Sequence, residues 1–67
     1  MKHEPVILVY DDGEPSETRE LIVEENRYGL EFVRLKTRLG RHHRCPVYRV
    51  NGVAHAKIVG GKLRHFD

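Results

Sequence analysis

Apolar residues in this chain come in short runs, separated by charged or glycine-bearing breaks. Val6-Ile7-Leu8-Val9-Tyr10 is continuous, opened by Pro5 and closed by Asp11-Asp12-Gly13. That is the pattern of a strand buried on both faces of a parallel sheet, so it is expected to be the central strand. Beyond it, Pro15 suits a first helical position, and the carboxylates around it suit the positive end of a helix dipole. Leu21, Ile22 and Val23 then supply an apolar side, Arg19, Glu20, Glu24 and Glu25 a solvated one, and Gly29 a left-handed cap. This predicts a helix over about residues 15–28. Leu30 to Lys36 reads as a second strand, parallel to the first because a helix intervenes, with the right-handed crossover found in about 98% of such units.

Thr37 to Arg44 is polar and basic with Gly40 inside it, and reads as a loop. A hairpin is predicted next, as Val47–Val50 and Val53–Val59 joined by Asn51-Gly52. An Asn-Gly pair between β-branched runs is the strongest short-range hairpin signal, because both turn positions need positive φ. Gly60-Gly61 breaks the pattern, and the tail from Lys62 to Asp67 is too short to pack as a helix.

Length and composition narrow the picture. A chain of 67 residues is expected to form a single domain hiding only about 60% of its unfolded surface. With 39% hydrophobic residues, 33% charged, no Trp, two Phe and three Tyr, the core must be thin. One cysteine, Cys45, allows no intrachain disulfide and points to a reducing, cytoplasmic setting. The apolar run near the start is too short for a membrane span, so no membrane association is expected.

The order strand, helix, strand, proline and hairpin resembles the thioredoxin/glutaredoxin-like superfamily. In that superfamily a strand ends in an aromatic residue and enters a C-P-x-C loop; here Tyr10-Asp11-Asp12-Gly13-Glu14-Pro15-Ser16-Glu17 stands in its place, with Glu14 and Glu17 where the cysteines would be. Cys45-Pro46-Val47 is similar to the family's cis-proline segment, and residues 51–60 to its turn, last strand and terminal glycine. The resemblance implies an α/β fold: a minimal β-α-β-β-β domain spanning residues 1–67, with a four-stranded mixed sheet and one main helix. Family helices before and after the hairpin have no room here. A bare sheet face would result, which implies a homodimer or a docked protein partner. The groove between residues 11–16 and Cys45-Pro46 is the implied peptide-contact surface, with Tyr10, Glu14, Cys45 and Pro46 as binding residues.

Candidate chemistry is sparse. Dithiol exchange needs a second thiol, and neither Glu14 nor Glu17 supplies one. Cys45 is the one catalytic candidate, as a lone redox thiol, yet the neighbouring Asp11, Asp12, Glu14 and Glu17 would raise its pKa rather than lower it. His42-His43-Arg44-Cys45 lacks the spaced ligand pairs of a zinc site, since adjacent residues on an extended chain point apart. No metal and no cofactor is expected. The acidic cluster reads as capping of a solvated helix start.

Charge is distributed unevenly. Residues 1–32 hold three Lys or Arg against nine carboxylates, a balance of −6, whereas residues 33–67 hold nine against one, a balance of +8. Arg38, Arg41, His42, His43 and Arg44 therefore form a basic patch, flanked by Arg34, Lys36 and Arg49 and accompanied by Tyr48, of the kind that binds nucleic-acid phosphates. The sequence supports a non-enzymatic thioredoxin-like binding or adaptor module as first expectation. A small basic nucleic-acid-binding protein is the second, and a one-cysteine redox protein using Cys45 the third.

Overall fold

The computed structural model describes residues 3–36 and 40–58. Among these residues the protein is all-β, with six strands and no helix. They are β1 (His3–Tyr10), β2 (Glu17–Ile22), β3 (Glu24–Glu25), β4 (Glu31–Lys36), β5 (His42–Val50) and β6 (Val53–Ile58). They form one sheet in the order β2-β1-β6-β5-β4-β3, curled into a half-barrel. Each strand is antiparallel to its neighbours except β1 and β6, which run parallel.

The parallel pair follows from the connectivity. One residue, Val23, separates β2 from β3, so the two ends of the sheet are arms of a single bent strand. Counted that way the chain is a five-stranded up-and-down meander, in which the first and last strands run the same way. Joining those two strands makes a parallel pair without a crossover helix.

The α/β assignment is therefore corrected. Residues 17–25 are extended, and their apolar residues explain why: Leu21, Ile22 and Val23 are contiguous rather than spaced by three and four, so they make no helical stripe. Register sets Leu21 opposite Glu4 and Arg19 opposite Val6 on the inner face, while Thr18 and Glu20 sit opposite Ile7 and Pro5 on the outer face. Gly29 caps no helix; with φ of 78° it sits in the β3–β4 loop. There Asn26 Oδ1 accepts hydrogen bonds from the backbone N–H groups of Tyr28 and Leu30 at 2.8 and 3.0 Å, an asparagine turn. The strand at 31–36 pairs with β3 and β5, not with β1. Residues 42–44 belong to β5 rather than to a loop.

The Asn51-Gly52 hairpin forms, with φ of 51° and 78° at its two turn residues. Pro46 lies inside β5, and no cis peptide bond occurs among the described residues. It marks a change of partner: His42–Pro46 pairs with β4, and Val47–Val50 pairs with β6. The sheet turns a corner there, as strands do where they pass from one packed layer to another. Val23 makes the matching corner on the other side, between the arm paired with β1 and the arm paired with β4.

The core is the concave side. Val6, Leu8, Val33, Leu35, Cys45, Ala54, Ala56 and Ile58 are buried, with Tyr10, Leu21, Val23 and Val47 packed against them. Ala54 and Ala56 lie opposite Val6 and Leu8 on one side and opposite Arg49 and Val47 on the other. Small residues on this middle strand leave the interior to the larger side chains of its neighbours. The run at Val6–Tyr10 sits in the sheet interior but is not buried on both faces. Val6 and Leu8 are fully buried, whereas Ile7 and Val9 are half-exposed on the convex side.

That asymmetry gives a test by urea denaturation. Leu8→Ala should lower stability by about 2–5 kcal/mol, whereas Val9→Thr, on the outer face, should cost less than about 1 kcal/mol. Equal losses at the two positions would mean that both faces of β1 are covered.

Candidate nucleic-acid interface

Alternation along β4, β5 and β6 sorts their side chains between the two faces. The convex side receives Phe32, Arg34 and Lys36 from β4, His42, Arg44, Pro46, Tyr48 and Val50 from β5, and Val53, His55 and Lys57 from β6. None of these is a carboxylate. Tyr48 and His55 are cross-strand partners with stacked rings, 5.3 Å between centroids and 28° between planes. The Arg44 guanidinium lies over the Phe32 ring, 5.2 Å from its centroid. Beside that pair is a shallow hollow of about 230 Å³ lined by Asn26, Leu30, Glu31, Phe32, Arg44 and Pro46.

The electrostatics of this face are unfavourable to the isolated fold. Arg34 stands directly opposite Arg44, and like charges facing across strands destabilise a sheet. One compensation is visible. Arg34 makes two hydrogen bonds to the Glu24 carboxylate, at 2.7 and 2.6 Å, and this pairing holds the Glu24 pKa below its ordinary value. Arg44 and Lys57 add charge with no such carboxylate on their own strands.

The carboxylates nearest this face are each held by an arginine: Glu24 of β3, opposite Phe32, by Arg34, and Glu31, which borders the hollow, by Arg49. Arg49 reaches Glu31 through two hydrogen bonds of 3.0 and 2.9 Å, Glu4 at 2.6 Å and the Gly52 carbonyl at 3.0 Å. One guanidinium thus ties β5 to β4, β1 and the hairpin turn, and it keeps the Glu31 pKa below its ordinary value. Arg49 itself is pushed to hold its proton more tightly, chiefly by Glu31 and then by Glu4.

The residues singled out from sequence are dispersed. Arg44 and His42 lie on the convex basic face, His43 is exposed on the opposite side of β5, Arg41 precedes the strand, and Arg38 lies outside the described residues. Tyr10 points to the core side, where its hydroxyl donates to Glu17. Glu14 is in the loop after β1, its N–H donating to Asp12 Oδ1 at 3.2 Å. Cys45 is buried and Pro46, the next residue, is exposed on the other face, so the four residues expected to form a peptide groove do not share one. The acidic cluster caps no helix; Asp11, Asp12 and Glu14 occupy an exposed loop and Glu17 opens β2. Among the described residues no group of three or more His, Cys, Asp or Glu is arranged to hold a metal ion, and no helix is long and apolar enough to cross a membrane.

Phe32, His55 and Lys57 were not singled out from sequence. Their signal is a period of two: Phe32-x-Arg34-x-Lys36, His42-x-Arg44-x-Pro46-x-Tyr48 and His55-x-Lys57 each place basic and aromatic residues on one side of a strand.

The chain matches no protein-family model, no curated protein and no solved structure at a significant level. None of these comparisons links it to the thioredoxin-like superfamily.

Two measurements check this arrangement. Glu31 has a depressed pKa in the folded state, so its pairing with Arg49 adds stability above the ordinary carboxylate value of 4.5 and loses it as pH falls through the lower folded value. Arg49→Met should therefore lower the urea midpoint at neutral pH, and the gap to the unaltered protein should narrow well below pH 4.5. Burial raises the Cys45 pKa, and the residue is 5% exposed. Its alkylation in the native protein at neutral pH should be slower than that of free cysteine, rising to the free rate in denaturant.

Proposed function

We propose that this protein is a small non-enzymatic nucleic-acid-binding module, with the convex face of β4, β5 and β6 as its contact surface. The observation that carries this reading is the absence of any carboxylate among the outward-facing residues of those three strands, beside four Lys or Arg residues and the Tyr48–His55 pair. Phosphates would be held by Lys36, Arg44 and Lys57, whose charge favours polyanions without reading sequence. Arg34, committed to Glu24, serves the electrostatic field more than direct contact. The redox reading finds no support, because Cys45 is buried and its thiolate disfavoured. The adaptor reading loses the groove on which it rested.

Fluorescence anisotropy with a labelled oligonucleotide tests the reading. With about three phosphate contacts, affinity should fall between tenfold and fiftyfold from about 50 to about 200 mM salt. The double variant Arg44→Ala/Lys57→Ala should weaken binding and reduce the salt slope by about 2. Absence of binding at low salt would end the proposal.

A further inference from the structure

The same convex face says which form of nucleic acid it suits. Resting on the reading just given, we infer that the ligand is an unpaired polynucleotide strand, whose bases stack at two separate stations: the exposed Tyr48 ring beside His55, and the Arg44 plane over Phe32.

Both stations offer flat π surfaces to solvent. Tyr48 is 45% exposed, and its ring is braced by His55, whose Nδ1 lies 2.9 Å from the Val53 carbonyl oxygen. A ring held in place loses little freedom when a base stacks on it. The guanidinium of Arg44, laid over Phe32, is a plane of the sort on which unstacked bases settle. The hollow beside it is bordered by exposed Leu30, and its one carboxylate, Glu31, is held by Arg49.

Spacing excludes a duplex from using both. Phe32 is opposite Pro46, and Tyr48 is two residues further along β5. Strand rise and interstrand distance put the two backbone positions about 8 Å apart, and the corner at Pro46 spreads their convex-side rings further. Bases of a duplex follow every 3.4 Å or so and are closed within the stack. Only an unpaired strand can offer two bases that far apart, with its phosphates passing Arg44, Lys57 and Lys36. A sequence-tolerant stacking platform in a positive field is the general solution for single strands.

The experiment compares a labelled single strand of about a dozen nucleotides, as DNA and as RNA, with the same strand carrying alternate abasic sites and with the matching duplex. All arms use the unaltered protein at low salt. The intact strand, in at least one of the two chemistries, should bind about fivefold or more tighter than its abasic counterpart and than the duplex. Tyr48→Ala, which removes one of the two stations, should bring the intact strand part of the way down to the abasic level with an unchanged melting temperature. Should that variant fail to fold, the abasic comparison decides alone. Equal binding of abasic and intact strands, equal binding of the duplex, or an intact-strand preference undiminished by Tyr48→Ala overturns the inference while leaving phosphate binding standing. Absence of binding in every arm overturns both.

Discussion

The architecture depends on two corners in a continuous hydrogen-bonded sheet. A flat six-stranded sheet of this length would leave one face bare, and the described residues hold no second layer with which to cover it. Bending at Val23 and Pro46 removes the need, because the sheet then covers itself. Proline suits the second corner for a chemical reason: without an N–H it cannot extend a ladder, so the pairing of β5 passes from β4 to β6 with no orphaned donor. Val23 serves the first by continuing into the core between two arms that pair in different directions. Once both corners exist, the parallel contact of β1 with β6 follows from the count of strands.

Curling has a consequence for charge. The concave side is small, and among the described residues eight fill its buried part. Polar side chains pointing inward are pushed to the open ends of the half-barrel, where they meet one another. Arg49 is the clearest case. It points to the same side as Ala54, yet reaches the rim and gathers Glu4 and Glu31 from strands far apart in sequence. Pairs this exposed contribute little individually. Their larger effect is on the molecule's field, because two carboxylates near the basic strands are neutralised by Arg49, among them Glu31 at the border of the hollow beside Arg44.

What was legible in the sequence was the part encoded by contiguous residues. Asn51-Gly52 needs no context beyond its two neighbours, and the hairpin around it forms. The stretch at about 15–28 reads as a helix because Pro15, the acidic residues and Gly29 are all compatible with helix ends, while the alternation of the strand arms within it is masked by three contiguous apolar residues. Those three are apolar for different reasons: Leu21 and Val23 pack on the core, and Ile22 lies opposite His3 near the edge of the sheet. With the helix went the parallel neighbour for residues 31–36 and the groove at Cys45-Pro46. The basic half was visible as composition. Its division between two faces was not, because that requires the register of β4 against β5 and of β5 against β6.

The like-charged pair Arg34 and Arg44 on the convex face bears on why that register exists. Arg34 opposite Arg44 weakens the β4–β5 ladder, and the inward-facing Val33 and Leu35 must hold it together. A one-residue slip would relieve the repulsion, but it would also turn Val33 and Leu35 out to solvent. Burial of those two residues is worth several times the repulsion between screened surface charges, so the hydrophobic face dictates the register and the basic face accepts it. The fold therefore concentrates positive charge on its convex side at a small cost in stability. A polyanion bound there would relieve that repulsion, so binding and stability are coupled in the same direction.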